Sequence, residues 1–354
     1  MDTKRRGSES SVVPVKRSRH ELVGIAGTRE KAVLSAEQVP RSSGLLAPIM
    51  LLEGHQGEVF AAKFHPEGRH IASAGFDRQI FIWNVYGECE NVMVMKGHSG
   101  AITDLSFCDD GGALYSSSAD RSAALWDVRT GTRLRRLRGH SAVLNCVAAG
   151  TGTGGTGALT GGDDGAKLWD ARARRPAAEL AGAPALCCAL AGPGAGRGAG
   201  LAAAAGLDEL VRVWDLRRAA QPLLLAGHAD TVTGLAASAD GARLLSSAAD
   251  DTLREWDLRA WAAARAGPVR RGHRHGPERL LLRCAWGRGA TAGLLAAGSA
   301  DRRAVVWRGR EAAPAWRLPG HRAPVTAVDL HPREPLLLSA GADKLLYLGE
   351  LHLD

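Results

Sequence analysis

The sequence predicts an all-β protein in which one small unit occurs seven times behind a basic N-terminal tail. The chain holds nine Trp against five Phe and three Tyr, and six of these Trp recur at intervals of 43, 43, 45, 42 and 51 residues. Between them, short apolar runs alternate with turns rich in Gly and Asp, a pattern typical of consecutive antiparallel strands. A fixed period of this length indicates a repeat architecture rather than two or three separate domains.

Each repeat carries the same markers in the same order. A Gly-His pair opens every unit except the fourth, with the imidazoles at His55, His98, His140, His228, His273 and His321. An Asp lies six residues before each Trp, at Asp77, Asp120, Asp163, Asp208, Asp250 and Asp301. The Trp are Trp83, Trp126, Trp169, Trp214, Trp256 and Trp307. The seventh unit has Asp343 and then Gly349 where Trp is due, so the units end near residues 84, 127, 170, 215, 257, 308 and 350.

The first unit shows how a repeat divides into strands. The stretch from Ile71 to Trp83 reads as a strand, a turn at Gly75 and Asp77, and a second strand. The apolar run Val92 to Met95 then supplies an outer strand, as Leu223 to Leu225 does in the fourth unit. These runs indicate a small sheet in each repeat.

The repeated pattern resembles the WD-repeat family, and the resemblance covers roughly residues 48 to 352. It implies a single seven-bladed β-propeller over residues 47–354, with four strands in each blade. It also implies a hydrogen-bonded network of His, Ser or Thr, Asp and Trp inside each blade, because buried indole and hydroxyl groups need partners. The hydroxyl members are Ser73, Ser116, Thr160, Ser246 and Ser339, and Ala204 and Ala297 take this position in the fourth and sixth units.

The strand count predicts how the ring closes. Only five residues follow Gly349, too few for an outer strand and its connection. One unassigned apolar strand, residues 49–52, precedes the first Gly-His pair. We expect it to complete the seventh blade by pairing near Leu345 to Leu348, since closure removes an open sheet edge.

Residues 1–46 differ from the rest of the chain, being rich in Ser and Glu and lacking periodicity, and are predicted to be a disordered tail. Two basic clusters lie in this tail: Lys4, Arg5 and Arg6, then Lys16, Arg17 and Arg19. Their spacing is typical of a bipartite nuclear-import signal. A plain solvated charge cluster is the alternative.

An insertion precedes the sixth unit, whose His273 lies 34 residues before Trp307, against 28 or 29 in four other units. Basic residues are frequent there, and interblade loops are common places for partner contacts. The basic candidates for contact to RNA phosphates or an acidic protein surface are Arg270, Arg271, Arg274 and His275. Trp261, at the start of the insertion, is a further candidate partner contact. A solvated loop is the alternative reading.

Glu255 occupies a strand position beside Trp256 that alternation assigns to an apolar residue. A buried unpaired carboxylate is costly, so we expect an Arg partner nearby or partial exposure.

No catalytic, metal or cofactor site is expected. The His, Ser and Asp sets recur as several copies, some incomplete, whereas an enzyme needs one triad. The segment from Gly152 to Gly157 matches G-x-G-x-x-G, but no helix follows it. The Asp pairs at residues 109–110, 163–164 and 250–251 fit hairpin turns better than a metal site. The Ala- and Gly-rich stretch of residues 181–207 is broken by Pro and Arg, which argues against a membrane span.

Further stretches resemble a splicing branch of the WD-repeat family, found in the U5 small nuclear ribonucleoprotein: among them residues 47–52, 73–78, 82–87, 296–302 and 347–350. This resemblance implies a nuclear, non-catalytic scaffold of the spliceosome acting in pre-mRNA splicing. Its expected partners are spliceosomal proteins, in particular the large central factor Prp8, with the U5 RNA contacted only indirectly. No small-molecule substrate is expected. The tetrapeptide Trp-Asp-x-Arg leaves an alternative, a substrate receptor of a cullin-RING ubiquitin ligase; it ends at Arg129, Arg172, Arg217 and Arg259.

Overall fold

A computed structural model describes residues 43–150, 157–180, 182–191, 200–216, 221–259, 265–278, 280–309 and 311–353. Within these residues the strands form seven antiparallel sheets of four strands each, which are the blades of a seven-bladed β-propeller. The prediction of an all-β propeller is confirmed. The predicted tail and its import clusters at Lys4, Arg5, Arg6, Lys16, Arg17 and Arg19 lie outside the described residues.

The first three blades follow the chain in order. Blade 1 comprises β2 (Val59–Phe64), β3 (His70–Gly75), β4 (Gln79–Asn84) and β5 (Asn91–Lys96). Blade 2 comprises β6 (Ile102–Phe107), β7 (Ala113–Ser118), β8 (Ser122–Asp127) and β9 (Arg133–Arg138). Blade 3 comprises β10 (Leu144–Gly150), β11 (Gly157–Gly162), β12 (Gly165–Asp170) and β13 (Ala178–Leu180).

The next three blades repeat the arrangement. Blade 4 comprises β14 (Ala185–Ala191), β15 (Leu201–Gly206), β16 (Val211–Asp215) and β17 (Leu223–Leu225). Blade 5 comprises β18 (Val232–Ala237), β19 (Arg243–Ala248), β20 (Thr252–Asp257) and β21 (Arg265–Arg271). Blade 6 comprises β22 (Cys284–Trp286), a 3-10 turn (Gly289–Thr291), β23 (Leu294–Gly298), β24 (Ala304–Arg308) and β25 (Trp316–Leu318).

Blade 7 takes its strands from both ends of the described chain. Three are β26 (Val325–Leu330), β27 (Leu336–Gly341) and β28 (Leu346–Glu350), and the fourth is β1 (Ile49–Leu52). β1 pairs antiparallel with β28, from Ile49 opposite Gly349 to Leu52 opposite Leu346. Hydrogen bonds therefore join the first and last described strands.

Burial within a blade follows strand position. All six residues of the second strand in blade 4, β15 (Leu-Ala-Ala-Ala-Ala-Gly), are buried, whereas the outer strand of blade 2, β9, exposes three of its six residues. Small side chains on the inner strands let neighbouring blades pack closely, so the core lies between the blades.

Polar side chains also join the inner strands of different blades. The backbone N–H of Val147 donates to Asp104 at 3.2 Å, joining blades 3 and 2, and that of Phe64 donates to Asp329 at 2.8 Å, joining blades 1 and 7. Arg283, next to β22, reaches further, because its guanidinium donates to the carbonyls of Asn145 (2.6 Å) in blade 3 and Leu186 (3.2 Å) in blade 4. Blades 6 and 3 are not adjacent, so this side chain crosses the centre of the ring.

Candidate functional site

Each regular blade contains a buried chain of hydrogen bonds at one end of its sheet. In blade 1 the Trp83 indole N–H donates to Ser73 Oγ at 2.8 Å, and Ser73 Oγ lies 2.7 Å from His55 Nε2. His55 Nδ1 lies 2.7 Å from the Asp77 carboxylate. Because an indole only donates and the carboxylate only accepts, the Ser73 hydroxyl donates to Nε2 and Nδ1–H donates to Asp77.

Blades 2 and 5 repeat this arrangement with nearly the same distances. The Trp126 and Trp256 indoles each donate to their Ser hydroxyl at 2.8 Å. The corresponding imidazoles lie 2.7 and 2.6 Å from the hydroxyls and 3.0 and 3.1 Å from the carboxylates. The remaining members are His98, Ser116 and Asp120 in blade 2, and His228, Ser246 and Asp250 in blade 5.

Blade 3 requires a correction to the predicted network, because Asp164 rather than Asp163 binds His140. The His140 and Trp169 side chains both meet Thr160 at 2.7 Å, as predicted for those three residues. The hairpin is one residue shorter after the acidic residue, since Gly162 pairs directly with Gly165. Asp163 points elsewhere and accepts from Asn145 at 2.8 Å. The spacing of four residues from Thr160 to Asp164, equal to that from Ser73 to Asp77, was the signal for the correct residue.

Blade 7 keeps part of the network without a Trp. His321 lies 3.0 Å from both Ser339 Oγ and Asp343. The Tyr347 ring packs edge-on against His321 with the ring centroids 4.7 Å apart, and its hydroxyl donates to the Gly320 carbonyl. Tyr347 pairs with Ser339 as Phe81 pairs with Ser73 in blade 1, and like Phe81 it packs on the imidazole, a role the repeat pattern does not indicate.

Blades 4 and 6 lack the hydroxyl member. In blade 4 Ala204 takes its place, and Asp208 forms a salt bridge with Arg212 instead of binding a His. In blade 6 Ala297 takes its place, and the buried Trp307 Nε1 has no hydrogen-bond partner within the described part of the chain. The Oδ1 atoms of Asp208 and Asp301 are likewise without a partner there. Trp214 and Trp307 remain buried in the blade cores.

The geometry of the complete sets supports a structural role. Ser73, Ser116 and Ser246 are 0% exposed, and each hydroxyl already binds an indole and an imidazole. Burial disfavours the ionised form of Asp77, but the hydrogen bond and charge of His55, together with the backbone N–H groups of Gln79 and Gln56, outweigh it, so the pKa of Asp77 lies below its ordinary value. Burial lowers the pKa of His98 and His140 in spite of their carboxylate partners. In these two sets burial thus favours the neutral imidazole beside its carboxylate, away from solvent.

The hydrogen bonds also define a loop face. The Gly-His loops and the turns that carry the network Asp must lie at the same end of each blade, because their side chains touch. The Trp-Asp-x-Arg sequences lie at the other end, since Trp ends the strand that starts at the Asp turn. Arg129, Arg172 and Arg259 are exposed there, and Arg259 pairs with Asp257 at 2.6 Å. Arg217 lies outside the described residues.

Part of the insertion before the sixth unit forms strand β21 and not the predicted loop. Arg270 belongs to β21, is 0% exposed, and donates to Glu255 at 3.1 Å and to the Gly309 carbonyl at 2.8 Å. Its assignment as a partner contact was therefore wrong. His275 also points inward, with its side chain 2% exposed and Nε2 lying 3.0 Å from Thr233 Oγ1. Arg271 and Arg274 are exposed, and Trp261 lies outside the described residues.

Glu255 has the cationic partner that the sequence predicted. It is buried, and Arg243 Nη1 lies 3.0 Å from one carboxylate oxygen while Arg270 approaches the other. The Arg243 guanidinium also lies over the Trp286 ring, 5.1 Å from its centroid. The buried carboxylate thus lies between one buried cation, Arg270, and one partly exposed cation, Arg243, and the prediction of an Arg partner is confirmed.

No group of three or more His, Cys, Asp or Glu side chains suited to a metal ion occurs in the part of the chain that the structure describes. Of the G-x-G-x-x-G segment only Gly157 is described, and it opens strand β11. No helix in the described ranges is both long and apolar enough to cross a membrane.

Comparison with known proteins agrees with the blade pattern. The family model described as "WD domain, G-beta repeat" matches residues 46–84, 89–127, 131–170, 221–257 and 313–348. The stretches between these matches contain most of blades 4 and 6, whose networks lack the hydroxyl. The family model therefore matches the blades that contain the network hydroxyl, which are blades 1, 2, 3, 5 and 7.

Three similar proteins extend the likeness to nearly the whole chain. The "U5 small nuclear ribonucleoprotein 40 kDa protein" of Mus musculus is 43% identical over 360 residues, covering 98% of each chain. Its Homo sapiens counterpart is 42% identical, also with 98% of each chain covered. The "Pre-mRNA-splicing factor cwf17" of Schizosaccharomyces pombe is 35% identical over 99% of each chain. With the propeller and the repeated blade networks, these matches show that the chain belongs to the WD40-repeat family.

Proposed function

We propose that this chain is a non-catalytic scaffold of the U5 small nuclear ribonucleoprotein and acts in pre-mRNA splicing. The observation that carries this proposal is the 42–43% identity to proteins of that name over 98% of the chain. If these proteins shared only the repeat consensus, their similarity would not extend across blades 4 and 6, most of which the repeat model does not match. The fission-yeast splicing factor supports the same assignment at 35% identity.

The propeller performs this role by presenting loops from a rigid ring. In blades 1, 2, 3, 5 and 7 the buried chain of His, hydroxyl and Asp ties the Gly-His loop to the turn beside it, so the ends of these loops are fixed before a partner binds. A preorganised surface loses less conformational entropy on association than a mobile one. Because the network hydroxyls are buried and already hydrogen-bonded, the proposed role is binding without chemistry.

The proposed partners are spliceosomal proteins, with the large central factor Prp8 as the specific candidate and contact to U5 RNA through proteins. The proposed place of action is the nucleus, with the basic clusters at residues 4–6 and 16–19 as the import signal. We further propose the division into a tail at residues 1–46 and a propeller at residues 47–354.

Affinity purification of the tagged full chain tests the proposal. We expect splicing factors including Prp8, together with U5 RNA, and we expect the proteins to persist after nuclease treatment of the lysate. Recovery of a cullin adaptor instead, lost on replacing Arg217 and Arg259 by Ala, would support the ubiquitin-ligase alternative. A reporter fused to residues 1–30 tests import separately, with the six basic residues replaced by Ala as its matched control.

A further inference from the structure

The turn that follows each network Asp has an unusual backbone conformation on the loop face. In six blades the residue after that Asp has positive φ: Arg78 (64°), Arg121 (64°), Glu209 (62°), Asp251 (60°), Arg302 (69°) and Lys344 (70°). In blade 3, where the hairpin is shorter, Gly165 has a φ of 101°. The ring therefore displays one such residue on each of these turns, at the same position.

The charges at this position divide the face into two parts. Blades 6, 7, 1 and 2 are consecutive around the ring and carry Arg302, Lys344, Arg78 and Arg121, whereas blades 4 and 5 carry Glu209 and Asp251. We call the first four residues the basic arc. Left-handed backbone is costly for residues with a Cβ, and Gly or Asn would suit these turns better. Because Glu209 and Asp251 hold the same conformation, the turn itself does not require a cation, and four cations on consecutive blades point to a use beyond folding.

The side chains of the basic arc are available to a partner. All four are exposed, and none of them forms an ion pair with a carboxylate of the described residues. Within the described residues, the Arg78 guanidinium donates one hydrogen bond, to the Ser99 carbonyl at 3.5 Å. Exposed Arg303 and Arg322 add to the positive charge of blades 6 and 7.

One exposed aromatic side chain lies in the middle of the basic arc. Phe76 precedes Asp77 in the turn of blade 1 and is 65% exposed. The matching position holds Ala in the other three blades of the arc, at Ala119, Ala300 and Ala342. Phe76 therefore combines a large apolar contact with the cations on either side of it.

We propose that the basic arc and Phe76 together bind an acidic polypeptide segment carrying an apolar side chain. Charge complementarity would position the segment, and Phe76 would contact its apolar residue. RNA fits less well, because the described arc presents a single exposed aromatic side chain, whereas single-stranded binders stack successive bases on several. This inference rests on the proposed scaffold role, for which it names the chemistry of one partner.

A charge-reversal experiment tests the basic arc directly. The probe is a fluorescein-labelled peptide of alternating Glu and Gly with one central Leu, and binding to the purified full chain is followed by fluorescence anisotropy. The arc variant is R78E, R121E, R302E and K344E combined. The matched control, R129E, R172E, R174E and R175E, changes the net charge equally on the opposite face. Glu209 shows that Glu is accommodated at this turn position.

We expect Kd to rise by about tenfold or more in the arc variant and by less than about twofold in the control at physiological salt. A second arc variant with Gly at the four positions should lose binding as well, and Gly favours this backbone conformation, so misfolding would not explain the loss. Phe76→Ala should weaken binding with the charges unchanged.

Three results would overturn the inference: no binding to the native chain, equal weakening in arc and control variants, or tighter binding to a uridine-rich RNA oligonucleotide than to the peptide. The assay uses the isolated protein, so these results leave the scaffold role to be judged by affinity purification. Conversely, a purification without splicing factors alongside arc-dependent peptide binding would contradict the scaffold role and retain the arc.

Discussion

Glu255 shows at the scale of one residue how a charged side chain occupies a buried strand position. Its two oxygens each face a guanidinium, one from Arg243 on the neighbouring strand β19 and one from Arg270 on the other neighbour, β21. Arg270 is 0% exposed, and its Nε and Nη1 have no hydrogen-bond partner in the described structure. The carboxylate is therefore the main compensation for a cation that has lost its water.

We expect Glu255→Leu to destabilise the protein by ~3–5 kcal/mol, because it leaves the Arg270 charge buried and unpaired. Adding Arg270→Leu should recover much of that loss, since removing both charges also removes their desolvation cost. Urea unfolding followed by Trp fluorescence measures both changes. Glu179→Leu is the control, because Glu179 is 70% exposed although it pairs with Lys167. A Glu255→Leu loss no larger than the control loss would contradict this account.

At the scale of one blade, the missing hydroxyl in blade 6 is a repairable defect. Ala297 lies where the other blades place Ser or Thr, and the buried Trp307 indole N–H beside it lacks an acceptor. The His273 ring packs edge-on to Trp307 with centroids 5.9 Å apart, as the network His does elsewhere, but its Nε2 turns to Ser247 of blade 5 at 3.2 Å. A Trp and a His are in place without the hydroxyl that would join them.

Ala297→Ser should therefore stabilise the protein, by about 1 kcal/mol, because the new hydroxyl accepts the Trp307 indole N–H. Ala296→Ser is the matched control: it lies on the same strand, is equally buried and faces an apolar cluster, so its hydroxyl should destabilise. Melting temperatures by differential scanning calorimetry give the sign of each change. A fall for Ala297→Ser as large as that for Ala296→Ser would show that blade 6 has no place for the network.

The buried imidazoles also make blade stability depend on pH. Burial, and then the nearby His275, lowers the pKa of His273 to about 3 from an ordinary 6.5. The folded state then binds fewer protons than the unfolded state at acid pH. Stability is fully present above 6.5 and falls as pH decreases from 6.5 toward 3, by ~1.4 kcal/mol per pH unit for one fully buried imidazole.

We expect His273→Gln to lose less in melting temperature between pH 7.5 and pH 5.5 than the native chain, since Gln does not titrate. The residual loss belongs to the other imidazoles whose pKa values burial lowers, which are His70, His98, His140, His275 and His331. A further loss should follow at pH values below the ordinary carboxyl pKa of 3.8, as Asp77 and Asp343 take up protons. Equal loss in both proteins between pH 7.5 and 5.5 would contradict the assignment to His273.

At the scale of one blade, the sequence predicted the network correctly only where the spacing from hydroxyl to Asp to Trp is the same as in the other repeats. Where the spacing from hydroxyl to Asp to Trp is intact, as from Ser73 to Asp77 to Trp83, it identified the network correctly. It misassigned Asp163 because a residue is missing after Asp164, which moves the Trp and leaves the His, Thr and acidic residue in place. It missed β21 because Gly267 and Pro268 within Arg265–Arg271 hide a strand, so Arg270 was assigned to a loop.

At the scale of the whole molecule, contacts between sequence-distant residues hold the ring in one piece. Arg283 crosses the centre from blade 6 and binds carbonyls of blades 3 and 4, and its Nη2 lies 3.6 Å from Asp104 of blade 2. At the rim, β1 supplies the outer strand of blade 7, so loss of that strand would leave β28 with an open edge. The strand count of the repeats predicted the closure by β1, and the pairing with β28 confirms it. The Arg283 contacts do not follow from the repeat unit, because they join parts of the chain that no single repeat contains.

The pairing of β1 with β28 predicts that the N-terminal strand stabilises the whole propeller. Deleting residues 48–53 should lower the melting temperature sharply.

A single substitution in β1 tests the same pairing without shortening the chain. Leu52 is 1% exposed and packs in the cluster shared by blades 7 and 1, whereas its neighbour Leu51 is 46% exposed on the other face of the strand. Leu52→Asp should cost several kcal/mol by burying a carboxylate without a partner, roughly at the scale of a removed core side chain. Leu51→Asp should leave the melting temperature nearly unchanged. Equal melting of the two variants, or an unchanged melt after the deletion, would show that the ring stays closed without β1.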